Sequence, residues 1–266
     1  MSEFIWQNGV IVEAVSFPMP SNRKSAGFWL GDGLFETMLA QDGEVFALDR
    51  HLRRLNDGVK QLDLQVDEDQ VADGLLAAMQ WLGFKSGQVR VTVLSSSDLL
   101  VTAKSHEIDA TPLKLIVYPF PKNQRSILTG VKTLSYGENG AALRFAARHD
   151  CDDVLFLNQN GFLMESALAN LIVWNGGSWL TPSLRSGCLP GVTRELLIEQ
   201  FDVVEEEFGL EEIGDFSAMA LTSSLRDIQS VRSLEGDTLA RLSFDQEPVD
   251  RLRAHFQDWR KKNVRP

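Results

Sequence analysis

Hydrophobic and polar positions alternate in short blocks along the first third of the chain. FIWQNGVIVEA (4–14) reads as two strands around an Asn8-Gly9 turn, the dipeptide that suits a two-residue hairpin. Leu34 to Ala40 and Glu44 to Leu48 predict a second strand pair, turning at Gln41-Asp42-Gly43. Asp49 then has the character of an N-cap, because Leu52, Leu55, Val59 and Leu62 follow at helical spacing. A second helix is predicted from Asp67 to Leu82, with Val71, Leu75, Leu76 and Met79 inward. Val89 to Leu94 and Leu113 to Tyr118 are β-rich and are expected to pair. The polar stretch SSSDLLVTAKSHEIDAT between them is expected to be a loop.

Pro119 and Pro121 stiffen YPFPKNQ and remove donors, which marks 119–123 as the connection between two domains, 1–118 and 124–266. Beyond it the pattern predicts strands near 127–133, 153–158 and 169–174. Helices are predicted near 138–149, from Gly191, and over roughly 245–262. Strands interspersed with helices indicate an α+β protein of two domains. The smaller N-terminal one is α/β and the larger C-terminal one mixed α/β.

Charge narrows the function. The 266 residues carry 37 acidic and 26 basic side chains, a net charge of −11, which disfavours nucleic acid and anionic membranes as partners. No apolar run approaches the ~20 residues of a membrane span. MSEFIWQNGVIVEA has no basic-then-apolar signal pattern, so a cytoplasmic location is expected. Two cysteines make no disulfide framework, and the four histidines fit no metal spacing.

Four segments could carry chemistry. Gly31-Asp32-Gly33 is a tight turn feeding a strand, and would serve equally as a plain hairpin. Arg50, Arg53 and Arg54 cluster at a helix start. Their donor forks suit phosphate or carboxylate, or a solvated salt-bridging face. Pro190-Gly191-Val192-Thr193 opens a helix whose first N–H groups attract an anion, as any helix start does. Thr222-Ser223-Ser224 follows an apolar strand, where it is either a turn or a second anion seat. Three anion-holding segments in one acidic chain suggest a phosphorylated cofactor.

In order and spacing, GDGLFET, LDRHLRRL, VKTLSY, LNQNGFLMESALANLIVW, LTP, LPGVTR and LTSS resemble the fold-type IV pyridoxal-phosphate enzymes. These are the branched-chain and D-amino-acid aminotransferases and 4-amino-4-deoxychorismate lyase. Lys132 and Glu165 stand 33 residues apart, the interval between the Schiff-base lysine and its acidic partner in the lyase branch. The resemblance implies a D-amino-acid aminotransferase-like fold and pyridoxal 5′-phosphate as cofactor. It makes Lys132, in the C-terminal domain, the covalent anchor and proton shuttle, and puts Glu165 at the ring nitrogen. Arg54, Val192, Thr193 and Thr222 fall to the phosphate, Tyr136 to the ring hydroxyl and Asn170 to the ring. Leu30, Arg90, Ser223 and Ser224 fall to the substrate.

Two departures alter the substrate side. Leu30 stands where the family places Tyr or Phe, and Ser95-Ser96-Ser97 where the D-amino-acid and lyase branches commonly carry Arg-Gly. By resemblance the protein is a homodimeric aminotransferase acting on amino acids and 2-oxo acids. The alternatives are the lyase, releasing pyruvate and 4-aminobenzoate, and a cofactor-binding protein without turnover.

Overall fold

The structure, a computed structural model, describes residues 3–12, 26–237 and 239–263. The chain divides into two compact units, one of residues 1–107 with 131–136, the other of 108–130 with 137–265.

The first unit is an antiparallel sheet covered by helices. The Asn8-Gly9 turn joins β1 (Phe4–Gln7) to β2 (Val10–Val12), with Asn8 at φ 46 and Gly9 at φ 90. Residues 13 and 14 of the expected hairpin lie outside the described residues. After α1 (Ala26–Leu30) come β3 (Gly33–Gln41), β4 (Glu44–Val45), α2 (Leu48–Gln61), α3 (Glu68–Leu82), β5 (Gly87–Leu94) and β6 (Leu99–Ser105). The strand order is β2-β1-β6-β5-β3-β4. Leu34 and Met38 of β3 join Val89, Val91, Val101, Leu55 and Leu75 in the core beneath the helices.

Several expectations are corrected here. The polar stretch expected as a loop contains β6, whose alternating Leu99, Val101 and Ala103 are buried between β1 and β5. The expected pairing of the strands at Val89 and Leu113 is absent, because β5 takes β3 and β6 as neighbours. Asp49 is not the cap: α2 starts at Leu48, and the capping position falls two residues earlier, on Ala47 in the left-handed region at φ 53. Leu76 is exposed at 59%, while Val71, Leu75 and Ala78 form the inward stripe.

The second unit closes a sheet on itself. It contains β7 (Leu113–Val117), α4 (Gly137–Arg148), β8 (Asp153–Leu157), β9 (Leu163–Ser166), β10 (Asn170–Trp174) and β11 (Trp179–Pro182). There follow α5 (Val192–Gln200), β12 (Val204–Glu206), β13 (Ala218–Ser223), β14 (Asp227–Gly236), β15 (Leu239–Ser243) and α6 (Glu247–Asn263). Because β9 pairs with both β8 and β10, the path β10-β13-β14-β7-β8-β9 returns to its start. Leu115, Leu155, Leu171, Leu221 and Val231 belong to its core.

The expected boundary at 118 moves, because β7 lies between β14 and β8 and so belongs wholly to the second unit. Residues 127–133 form no strand. Instead 131–136 are fastened to β3: the Phe35 amide donates to the Lys132 carbonyl and the Leu134 amide to the Gly33 carbonyl, each at 2.9 Å. Thr133 bridges to Leu34, and Val131 packs on the first core. Lys132 therefore belongs to the first unit rather than to the C-terminal domain. Gly33 is required at this junction, since a Cβ there would sit 2.3 Å from the Val93 carbonyl oxygen.

Asp67 caps α3, accepting from the Asp69 and Gln70 amides. Asp67→Ala is expected to cost about 1 kcal/mol in urea unfolding. Asp49→Ala, which loses only a favourable position in the first turn of α2, should cost about 0.3 kcal/mol.

Candidate active site

In the first unit β3 has two chemically different faces. On its helix-covered face Glu36 lies between Leu34 and Met38 and is 1% exposed. Arg54 from α2 donates through Nε (2.8 Å) and Nη2 (2.7 Å) to the two Glu36 oxygens, and His51 Nδ1 lies 2.7 Å from Oε2. Burial pushes the Glu36 carboxyl up, but the charge and hydrogen bonds of Arg54, with His51, outweigh it and hold the pKa down at about 2. Burial likewise lowers the His51 pKa, against the pull of Glu36. Arg54 is thus fixed as a side-on ion pair with a carboxylate.

On the opposite face Phe35 is the centre. The Arg90 guanidinium lies over its ring at 3.7 Å, the Lys132 ammonium lies 4.4 Å from its centroid, and Tyr136 meets it edge-on at 5.1 Å. Cations stack on such a ring through its quadrupole, the more strongly where water is excluded. Arg90 also donates to Thr92 Oγ1 at 3.3 Å, and burial lowers its pKa. Lys132, Tyr136 and Arg90 are therefore gathered around one side chain. Leu30 is 74% exposed, at the end of α1.

In the second unit the strand register assembles a row. Glu165 of β9 stands opposite Asn170 of β10, which stands opposite Thr222 of β13. Directly opposed residues project to the same face of a sheet. The segment leading into α5 is tied to that row: the Leu189 amide donates to Glu165 Oε2 at 3.0 Å, and Asn170 Nδ2 donates to the Leu189 carbonyl at 2.8 Å. Gly191 follows with no room for a side chain, since a Cβ would lie 1.8 Å from Asn170 Oδ1. Gly191 gives α5 no side-chain cap, Val192 and Thr193 are buried in its first turn, and α5 packs on β13. The Thr222 hydroxyl is buried and has no hydrogen-bond partner among the described residues. Ser223 and Ser224 are half-buried where β13 ends, and the Arg226 amide donates to Ser223 Oγ at 3.2 Å.

Asp153 holds the turn between Glu165 and Asn170. It accepts from the Ala167 amide at 3.0 Å and from Ser166 Oγ at 3.1 Å, and it pairs with Arg226. Burial raises its pKa against those contacts. Phe35, Glu36, His51 and Leu189 lie within the quoted motifs but carry no role in the sequence reading, and Asp153 lies outside them. One of them left a signal: β-strand alternation puts Glu36 among inward apolar residues, where a carboxylate requires a partner.

A helix start without a side-chain cap, a buried orphan hydroxyl on the strand it packs against, and a carboxylate in the same row suit a ligand with a phosphate and a basic ring nitrogen. The family profile described as amino-transferase class IV matches residues 33–234. A Methanocaldococcus jannaschii protein, provisionally named a branched-chain-amino-acid aminotransferase, is 26% identical over 89% of this chain and 90% of its own. A Schizosaccharomyces pombe protein, provisionally named aminodeoxychorismate lyase, is 31% identical over 66% of this chain and 78% of its own. The solved structure of a hypothetical aminotransferase from Mycobacterium tuberculosis, in a PLP-bound form, shares the fold. Its TM-score is 0.83 at 22% identity, covering 97% of this chain and 98% of that one. This chain belongs to the class IV amino-transferase family and is an enzyme whose cofactor is pyridoxal 5′-phosphate. Among the described residues no helix is long and apolar enough to cross a membrane.

Glu36 gives the first unit a defined acid response. Its pKa of about 2 lies below the ordinary 4.5, so its stabilisation is complete above pH 4.5 and is lost as pH falls towards 2. Glu36→Gln is expected to cost about 3 kcal/mol at neutral pH and to flatten the stability profile across that window. Chemical denaturation at several pH values checks both.

Proposed function

We propose that this enzyme is an aminotransferase moving an amino group between an amino acid and a 2-oxo acid, with Lys132 as its catalytic residue. The observation that carries the reading is the row of Glu165, Asn170 and Thr222, with its orphan hydroxyl and the uncapped start of α5. When bound, the cofactor supplies an aldehyde that condenses with primary amines and a protonated ring that draws electrons from the substrate α-carbon.

Under this reading the Lys132 amine is the covalent anchor and, once displaced by substrate, takes the α-proton at Nζ and returns it. Phe35 and Tyr136 orient that amine through their ring faces. The Glu165 carboxylate holds the proton on the ring nitrogen, the Tyr136 hydroxyl takes the ring hydroxyl, and Asn170 lies at the ring. Arg54, the Val192 and Thr193 amides and the Thr222 hydroxyl hold the phosphate. Arg90, Leu30, Ser223 and Ser224 serve the substrate, Arg90 as the cation for its carboxylate. The assembly proposed on the family resemblance is a homodimer, which sedimentation should report as twice the chain mass.

The lyase is the second reading, because relatives of this chain carry both names. One experiment separates the readings. Holoenzyme reduced with borohydride and peptide-mapped should carry the cofactor on Lys132. Bleaching of its visible band by an L- or D-amino acid, with the 2-oxo acid released, establishes aminotransfer. Pyruvate release from 4-amino-4-deoxychorismate with no such bleaching establishes the lyase, and colour with neither reaction a protein that only binds the cofactor. An adduct on another lysine overturns the assignment of Lys132.

Thr222→Val tests the phosphate seat. It removes a hydroxyl that has no partner in the described protein, so thermal melting of the apoprotein should be unchanged or slightly higher. Equilibrium titration with the cofactor should show affinity lowered about tenfold.

A further inference from the structure

Lys122 lies ten residues before the proposed catalytic lysine and is used by nothing above. Its amide donates to the Leu157 carbonyl at 2.8 Å, which fixes its backbone beside β8. Its side chain passes over the Phe156 ring, with Nζ 4.3 Å from the centroid, and ends 3.6 Å from Glu165 Oε1. Both side chains are largely buried, at 15% and 13% exposure. Glu165 Oε2 is held by the Leu189 amide, so Lys122 acts on the other oxygen. Cys188 is a further titratable group beside it: burial and the Glu165 charge push its thiol up to about 11, so it is neutral at physiological pH.

We propose that Lys122 is a positioning residue that sets how much negative charge Glu165 presents to the cofactor's ring nitrogen. The inference rests on the proposed placing of Glu165 at that nitrogen. A carboxylate has room for a third partner beyond Lys122 and the Leu189 amide. A fixed cation beside it lowers the proton affinity of whatever base the carboxylate faces. Lys122 thereby tempers the ring as an electron sink, and Phe156 keeps the ammonium in place.

The test is the pH titration of the ring nitrogen, followed by NMR in holoenzyme carrying 15N-labelled cofactor. Lys122→Met and Lys122→Gln should each raise the pH at which the nitrogen loses its proton by about 1 unit, tenfold in proton affinity. Lys122→Arg should restore the unmodified titration. The proposal is overturned if the neutral variants titrate like the unmodified enzyme, or if the Arg variant shifts as far as they do. Glu165→Gln is the reference and should lower that pH. If Glu165→Gln has no effect, the placing of Glu165 itself fails. If it acts and the neutral Lys122 variants do not, only the role of Lys122 fails.

Discussion

The second unit depends on the backbone of one residue, Leu189, held from both sides. Its N–H is taken by Glu165 and its carbonyl by Asn170, residues that face each other across β9 and β10. These two contacts fix where the chain turns into α5, and so where that helix presents its first N–H groups. They exist only in one register. A slip of one residue in β10 would send Asn170 to the opposite face and separate it from both Glu165 and Thr222. Asp153 secures the register with a buried carboxylate that accepts from the Ser166 hydroxyl and the Ala167 amide, while Ser166 Oγ accepts from the Leu168 and Ala169 amides.

The same logic of opposed faces organises the first unit. Alternation along β3 sends Glu36 under the helices and Phe35 to the other side. One strand thereby anchors Arg54 through a buried ion pair and gathers Arg90, Lys132 and Tyr136 around an aromatic ring. Removing a partner from a buried pair costs far more than the pair contributes, so Glu36, His51 and Arg54 act as a unit. Lys132 gains its place from backbone contacts, because 131–136 add to the end of β3 through two amides.

Local signals were legible in the sequence. The Asn8-Gly9 hairpin, the helices α3 to α6 and the strands β8 and β10 form where their periodicity and turn residues put them. Partners at long range were not. Nothing in Leu99 to Ser105 distinguishes its short alternation from a polar loop until β1 and β5 flank it. Residues 131–133 read as the end of a strand of the second domain, and the membership of 131–136 in the first unit comes from hydrogen bonds to residues about a hundred positions earlier. The α2 start misled because Ala47 adopts a left-handed conformation that the sequence gives no reason to expect, next to an aspartate with every mark of a cap. Order and spacing of motifs singled out Lys132, Glu165, Arg54 and Thr222 as candidates. Residues that hold those carry no such mark: Asp153 lies outside every motif, and Leu189 opens LPGVTR as an ordinary apolar residue.

Under the proposed assignment, the phosphate meets an arginine that already has a carboxylate partner. Glu36 neutralises much of the charge of Arg54, so the guanidinium gives direction more than attraction. In the second unit the first amides of α5 suit an anion because the N–H groups of a helix terminus are already aligned. In the second unit the signs are exchanged: the Glu165 carboxylate is held beside the Lys122 cation. In both places the chain gives up electrostatic strength for a fixed direction. For a site in which one amine must deliver a proton to a defined atom, orientation is the scarcer quantity, since misplacement by about 1 Å costs about a hundredfold in rate.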